Sequence, residues 1–408
     1  MKKTRRQFLT TCARALALAS LGPALTWEAV LARESPGKSE DPVLVAIHLV
    51  GGNDALNTLV PIQDSLYRKL RPQLALPVKS TPRLDSSHGL HPALEGLRGL
   101  YEEGKVAWVQ GVGRPDHDRS HFRSSDLWQT AGDLQRKEGW LGLLADRHRL
   151  ASVSVGETLS RALFARHQHA FAFNKEGFPE VPGGPVFHGA VQRMYSDSQA
   201  AAPVARALKH ASIQLEEVVT TYRRKAQQVQ LKRSFPGHDT GRKFELAARL
   251  LAAELPPRLL HLSVGDFDTH VNQAHRHEQQ LRELDQSVTA LFRELEHRGL
   301  NRRVVLFGYS EFGRRAEENA SGGTDHGAGG LAFLLGGTVR GGLHGASPDL
   351  SSLRDGDLSH STDYRELYAS ILAGHFGTGL KGELVPGFEP IKGLFSLRPV
   401  QGSFNPAR

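Results

Sequence analysis

Sulfur is nearly missing from this chain: among 408 residues there is one cysteine, Cys12. Beyond it the chain can have no disulfide, no thiolate metal ligand and no cysteine nucleophile. Any metal must be held by carboxylate oxygen and imidazole nitrogen. A long apolar run is missing too. The N-terminal stretch is interrupted by Arg14 and Pro23, whereas a permanent membrane span needs about 20 nearly uninterrupted apolar residues. No G-x-G-x-x-G fingerprint, P-loop, H-E-x-x-H helix or solenoid-length repeat occurs. The formal charge is +8, and residues 1–32 hold five basic groups against one acidic group, so the remainder carries +4. That balance is ordinary for a soluble protein and gives no basis for a nucleic-acid partner. The most basic tract, Thr221–Arg233, reads as a solvated helix face.

What is present begins with a targeting signal. Lys2 and Lys3 precede Thr4-Arg5-Arg6-Gln7-Phe8-Leu9, which looks like a twin-arginine export signal, and Val30-Leu31-Ala32 suits cleavage after Ala32. The expectation is a periplasmic or secreted protein carried folded by the twin-arginine export machinery, with no stable membrane span. Residues 1–32 are therefore set aside from fold reasoning. One domain over residues 40–400, with a helical insertion near 201–254, is the expected organisation.

The stretch Val43–Asp54, VLVAIHLVGGND, predicts a buried strand that opens at its C-terminal end into a tight turn. Val106–Val109, Leu259–Val264, Val304–Phe307 and Leu331–Leu335 read as further strands, with Ala151–Val155 and Ala170–Phe173 as shorter ones. Leu281, Leu284, Val288, Leu291 and Leu295 recur at spacings of three and four and predict an amphipathic helix stopped by Gly299. Helices are also expected around 64–70, Phe122–Thr130, Gly241–Glu254 and Tyr364–Leu372. Strand, polar loop and helix in repetition are the signature of an α/β fold with a parallel sheet.

Polar clusters follow four of these strands: Asp54; Asp116-His117-Asp118 with Ser120-His121; Asp266, Asp268 and His270; and Glu311, with Asp325-His326 a further loop on. Parallel strands bring such ends to one rim. Asp268 and His270 stand at i and i+2, so in extended backbone both side chains face one way and both can approach one metal. Asp325 and His326 could do so in a turn. Carboxylates and imidazoles without sulfur suit Zn or Mn, with Mg or Ca as alternatives. The candidate metal ligands are thus Asp54, Asp268, His270, Glu311, Asp325 and His326. Asp54 has a second reading as a helix cap. Ser120 likewise reads either as an N-cap or as a nucleophile at a helix N-terminus, with Arg119 and His121 flanking it as candidate catalytic residues. Arg119, Arg123 and Arg314 are candidate clamps for an anionic group.

Gly51-Gly52-Asn53-Asp54, Arg119-Ser120-His121-Phe122, Phe267-Asp268-Thr269-His270, Ser310-Glu311-Phe312-Gly313-Arg314, Asp325-His326-Gly327 and Thr362-Asp363-Tyr364-Arg365 together resemble the bacterial domain-of-unknown-function 1501 family. That family is similar to the alkaline-phosphatase-like and sulfatase-like superfamily. The resemblance implies a three-layer α/β/α sandwich around a mostly parallel sheet. It also implies Asp54 as a first-strand metal ligand, Ser120 as nucleophile, and Asp268, His270 and His326 as ligands, with Glu311 where a later ligand pair would stand. A metal-dependent hydrolase of small anionic phosphate or sulfate esters is the function it implies. The alternative is a non-catalytic metal-binding or assembly protein of the cell envelope that keeps the fold. Cys-derived formylglycine is excluded, because no cysteine follows Cys12.

Overall fold

Strand β1 (Val43–Leu49) is buried along its whole length, as its β-branched and aliphatic composition requires of a central strand covered on both faces. In the computed structural model, which describes residues 41–116, 118–168, 170–174, 220–254 and 256–396, it sits at the middle of the main sheet. After it come α1 (Ala55–Thr58), β2 (Leu59–Pro61), α2 (Ser65–Leu70), β3 (His88–Leu90), α3 (Glu95–Glu102) and β4 (Val106–Gly113). Then follow α4 (His121–Gln129), α5 (Trp140–His148), β5 (Ser152–Val155), β6 (Ala170–Phe173) and α6 (Asp239–Ala252). The last part holds β7 (Leu259–Val264), α7 (Gln273–His297), β8 (Val304–Tyr309), β9 (Gly330–Gly336), β10 (Gly342–His344), β11 (Thr362–Asp363), α8 (Tyr364–Gly374) and α9 (Lys381–Leu384).

The main sheet runs in the order β10-β4-β9-β8-β1-β7-β5-β6, with β11 also on β4, and β2 and β3 form a separate small pair. Strand β1 pairs in parallel with β7 and with β8, while β9 is antiparallel to both β4 and β8. Among the described residues, strand β9 is thus the one strand of this sheet that runs against the rest. It enters from the edge at which β1, β4, β7 and β8 finish. The loop ahead of it, carrying Asp325 and His326, therefore lies at the same rim as the loops that follow those four strands.

Alternation along β1 divides the core into two layers. Val43, Val45, Ile47 and Leu49 face α3, α6 and α7, where Leu97, Leu100, Phe244, Leu281, Leu284 and Leu291 are buried. Leu44 and Ala46 face α4, α5 and α8, with Trp128, Leu141, Leu144, Leu367 and Ile371. The result is the expected three-layer α/β/α sandwich around a mostly parallel sheet.

The pattern-based boundaries were shortest where burial of polar residues hid an element. Helix α7 starts at Gln273, ahead of the first leucine of the stripe, because its first turns bury Gln273 and His277 rather than aliphatics. Strand β4 continues to Gly113 through a register shift between Val109 and Val112. Helix α5 was not anticipated; its buried Trp140, Leu141, Leu144 and Ala145 span too short a run to show a period. Of the expected insertion near 201–254, residues 201–219 lie outside the described residues. Of the described part, 220–254, Tyr222 and Ala226 join the core and α6 packs Phe244, Ala247, Leu250 and Leu251 into it as a cover for the sheet. The export signal, residues 1–32, also lies outside the described residues. Among those described, no helix is long and apolar enough to cross a membrane.

Candidate metal centre

The turn after β1 explains how the rim is assembled. Gly51 and Gly52 have φ of 115° and 81°, backbone conformations that glycine alone adopts freely. A Cβ on Gly51 would lie 2.3 Å from the Asp268 backbone nitrogen, so the glycine is what lets the loop after β7 settle against the turn. Two long side chains fasten it there. Gly51 donates its N–H to Glu311 Oε1 at 2.9 Å. The buried Arg314 guanidinium donates to the carbonyls of Gly51, Gly52, Phe267 and Thr324, and to Asp268 Oδ1 at 2.8 Å.

Around Asp268 three imidazoles converge. His326 Nε2 and His270 Nε2 each lie 3.0 Å from Asp268 Oδ1, and His121 Nε2 lies 3.5 Å from Oδ2. The Nε2 atoms of His270 and His326 are 2.9 Å apart. Each ring is anchored from behind by an oxygen on Nδ1: Glu311 Oε1 at 2.8 Å for His121, Asp325 Oδ1 at 3.2 Å for His270, and the Arg119 carbonyl at 2.8 Å for His326. A carbonyl only accepts, so His326 carries its proton on Nδ1 and presents a lone pair from Nε2. The carboxylate oxygens impose the same tautomer on the other two rings.

Lone pairs of two imidazoles and a carboxylate oxygen then face one another in a triangle with sides of 2.9, 3.0 and 3.0 Å. Such a grouping repels itself unless a cation lies between its members. Metal–ligand bonds of about 2.1 Å meeting at right angles space their donor atoms by about 3 Å, which is the spacing of this triangle. His121, Asp268 and His326 also offer ligand atoms all within 4.8 Å of one another. The donor set therefore fits a divalent metal ion. The anchored Nδ1 atoms are the arrangement that fixes tautomer and ring direction in metal-binding histidines.

Charge is arranged to match. Partial burial would raise the Asp268 carboxyl, but the Arg314 hydrogen bond outweighs it and holds it down at about 2. Burial would likewise raise Glu311, yet its bonds to His121 and His48 bring it well below the usual carboxylate range. His121 is raised by its hydrogen bond to Glu311, against the effect of burial. Both carboxylates stay ionised at neutral pH.

Residues 110–380 match the family model described as "Protein of unknown function (DUF1501)". The chain belongs to the DUF1501 family. No curated protein matches it. Solved structures similar to it include the C-terminal periplasmic domain of EcEptC from Escherichia coli in complex with Zn (11% identity, TM-score 0.37, covering 74% of this chain and 74% of that one). A lipoteichoic acid synthase, LtaP, from Listeria monocytogenes is another (10% identity, TM-score 0.37, covering 86% and 80%). A third is a protein in the alkaline phosphatase superfamily from Vibrio parahaemolyticus (8% identity, TM-score 0.35, covering 91% and 75%). The site of this DUF1501 chain is described from its own geometry.

That geometry redistributes the roles expected from sequence. Asp268, His270 and His326 are brought together with their ligand atoms facing. His121, expected beside a nucleophile, joins them. Glu311 and Asp325 are turned to the rear of imidazoles rather than to the centre. Asp54 is not brought in. Its Oδ1 accepts the N–H groups of Leu56 and Asn57 as the N-cap of α1, and its Oδ2 takes Arg71 Nη1 at 2.6 Å and the Gln273 amide. Both partners are buried, so the cap reading is the one the structure supports, and the reason is Arg71, which no motif announced.

Ser120 is also a cap: it is exposed at the start of α4, and its hydroxyl accepts the Arg123 N–H at 3.5 Å. The three expected clamps are committed elsewhere. Arg119 pairs with Asp357 at 2.8 Å, Arg123 with Asp118 at 3.1 Å, and Arg314 with the backbone carbonyls already named. His117 lies outside the described residues. Sequence reasoning missed His48, which donates to Glu311 Oε2 at 3.0 Å from within β1; an imidazole in the middle of an apolar strand was the available signal.

Proposed function

We propose that this chain is an exported, metal-dependent hydrolase of phosphate or sulfate esters, with Asp268, His270, His326 and His121 as the metal-binding residues. The observation that carries the reading is the set of three imidazoles, each anchored at Nδ1 and each directing Nε2 at one ionised carboxylate. A divalent cation held there would polarise an ester oxygen and stabilise the charge that develops on it. The triangle's sides near 3 Å suit neighbouring positions of a six-coordinate ion such as Mn, and Zn at lower symmetry. Glu311, Asp325 and the Arg119 carbonyl orient the rings. Arg314 fixes Asp268 against the Gly51–Gly52 turn.

A second reading has its own observation. Ser120 is engaged as a cap, and Arg119, Arg123 and Arg314 are all spent on partners within the chain. A protein that binds metal without turning over esters would look the same in these respects.

One set of measurements separates the two. Purified protein should hold about one metal per chain by mass spectrometry, and Asp268→Asn should lose most of it. Against model phosphate monoesters, phosphodiesters and sulfate esters the native protein should show turnover, and Asp268→Asn should reduce it by about 100-fold or more. Metal without turnover across that panel would favour the binding protein. Less than about 0.2 metal per chain after careful purification would end both. The export element rests on Arg5 and Arg6; replacing both with lysine should leave the protein in the cytoplasmic fraction.

A further inference from the structure

Arg114, which follows directly on β4, is a cation near the cluster whose neighbours among the described residues leave two of its buried donors over. Its Nε and Nη1 are buried and have no hydrogen-bond partner among the described residues. Its Nη2 stands 3.7 Å from Asp116, whose side chain is 89% exposed, and the Tyr364 phenol oxygen takes a hydrogen bond from the guanidinium. A guanidinium cannot give up its charge. Buried donors of a fixed cation without acceptors are costly, and their presence calls for a group that the protein does not itself supply.

The cleft that Arg114 lines indicates what that group is. It is a small cleft of about 20 Å³, partly open to solvent, between Val112, Leu127, Trp128 and Ala328 on its apolar walls and Glu311 and Phe312 toward the metal cluster. Its two carboxylates do not balance Arg114. Glu311 is taken up by His121, His48 and the Gly51 N–H. Asp118 is taken up by Arg123 and the Ser120 N–H. Phe312 connects the cleft to the cluster, its ring packing 4.9 Å from His121 and 4.6 Å from His326.

We propose that Arg114 and this cleft form an oxyanion subsite of the metal centre, receiving a phosphate, sulfate or carboxylate group of the molecule bound there. The word substrate rests on the hydrolase reading; the binding of an oxyanion does not. The group has two sources, the reacting ester itself or a second anionic group on the same molecule, and both place negative oxygen against Nε–H and Nη1–H.

The test is titration calorimetry with inorganic phosphate on the full protein, as purified and after chelator treatment. Arg114→Gln should weaken phosphate binding by at least about tenfold, the loss of one charge-assisted contact. Arg114→Lys should recover part of it, and metal content should not change in either variant. A loss seen only with metal in place identifies the anion as the reacting group; a loss in both forms identifies a separate anionic group. Equal affinity for native protein and Arg114→Gln in both forms overturns the subsite. A readout on the native protein covers the case of a variant that does not fold. Phosphate should protect Arg114 from phenylglyoxal, read by peptide mass spectrometry, and absence of protection counts against the proposal. Phosphate binding without ester turnover would leave the subsite standing and remove the hydrolase reading alone.

Discussion

What separates the histidines proposed to hold metal from the structural ones in this protein is the partner of the ring nitrogen turned away from the centre. His121, His270 and His326 each have an oxygen on Nδ1 and Asp268 before Nε2. His277, by contrast, spends Nε2 on Asn53 Oδ1 inside the core. Carboxylates divide in the same way. Asp268 and His270 were legible because Thr269 between them is buried and its hydroxyl points to Gln273, so an i, i+2 pair shares one side of extended backbone. Asp54 was not, since its buried partner Arg71 stands in no motif with it. The residue-scale prediction follows from that pair. Asp54→Ala leaves a buried guanidinium unpaired and should cost about 3–5 kcal/mol in urea unfolding, while metal content per folded chain stays unchanged. A loss of metal without a loss of stability would return Asp54 to the centre.

At the scale of elements, the turn after β1 is a fastening point and not a ligand-bearing loop. It offers an N–H to Glu311 and carbonyls to Arg314, and the absence of a side chain at Gly51 admits the segment that carries Asp268 and His270. Two loops distant in sequence are thereby held in register with no metal-binding residue in the turn. Gly51→Ala should consequently weaken metal affinity by about tenfold or more, although it alters no ligand; a metal titration with a competing chelator reads this directly. Unaltered affinity would mean that the loop after β7 seats itself without the turn. The importance of GGND was visible in the sequence as an apolar strand running into two glycines. What those glycines admit was not, because the approaching chain arrives from more than 200 residues away.

At the scale of the molecule, burial among the described residues favours the neutral form of several imidazoles. Burial lowers His91 to about 4 and His261 and His277 to about 3. Depressed histidines of this kind contribute stability that is present above the unfolded value near 6.5 and is lost as pH falls toward their folded values. Each adds up to about 1.4 kcal/mol per pH unit over that window. Asp285, which accepts the N–H groups of Gly96 and Leu97 at the start of α3, is raised by burial to about 6 and opposes them. Its share is present below about 4 and lost as pH rises through 6. The large downward shifts of these rings, joined by that of His148, outweigh the upward ones of Asp285, Glu366 and His121, so the urea midpoint should fall between pH 7 and pH 5. The comparison belongs on chelator-treated protein, so that proton competition for metal plays no part. A midpoint independent of pH would mean that these rings do not remain neutral.

The sequence by itself determined the α/β class, the central buried strand and the long stripe of α7, because burial on a sheet imposes short-range periods of two and of three to four. It also carried the family resemblance and the pairing of Asp268 with His270, both written within a few neighbouring residues. Only the tertiary structure decided that β9 runs against its neighbours and delivers His326 to the rim. Only it turned Glu311 and Asp325 to the backs of imidazoles, spent Asp54 on Arg71, and left Arg114 with buried donors unmet. Each of these depends on which side chain occupies a given volume first. That is settled between residues far apart in the chain, where no local spacing records it.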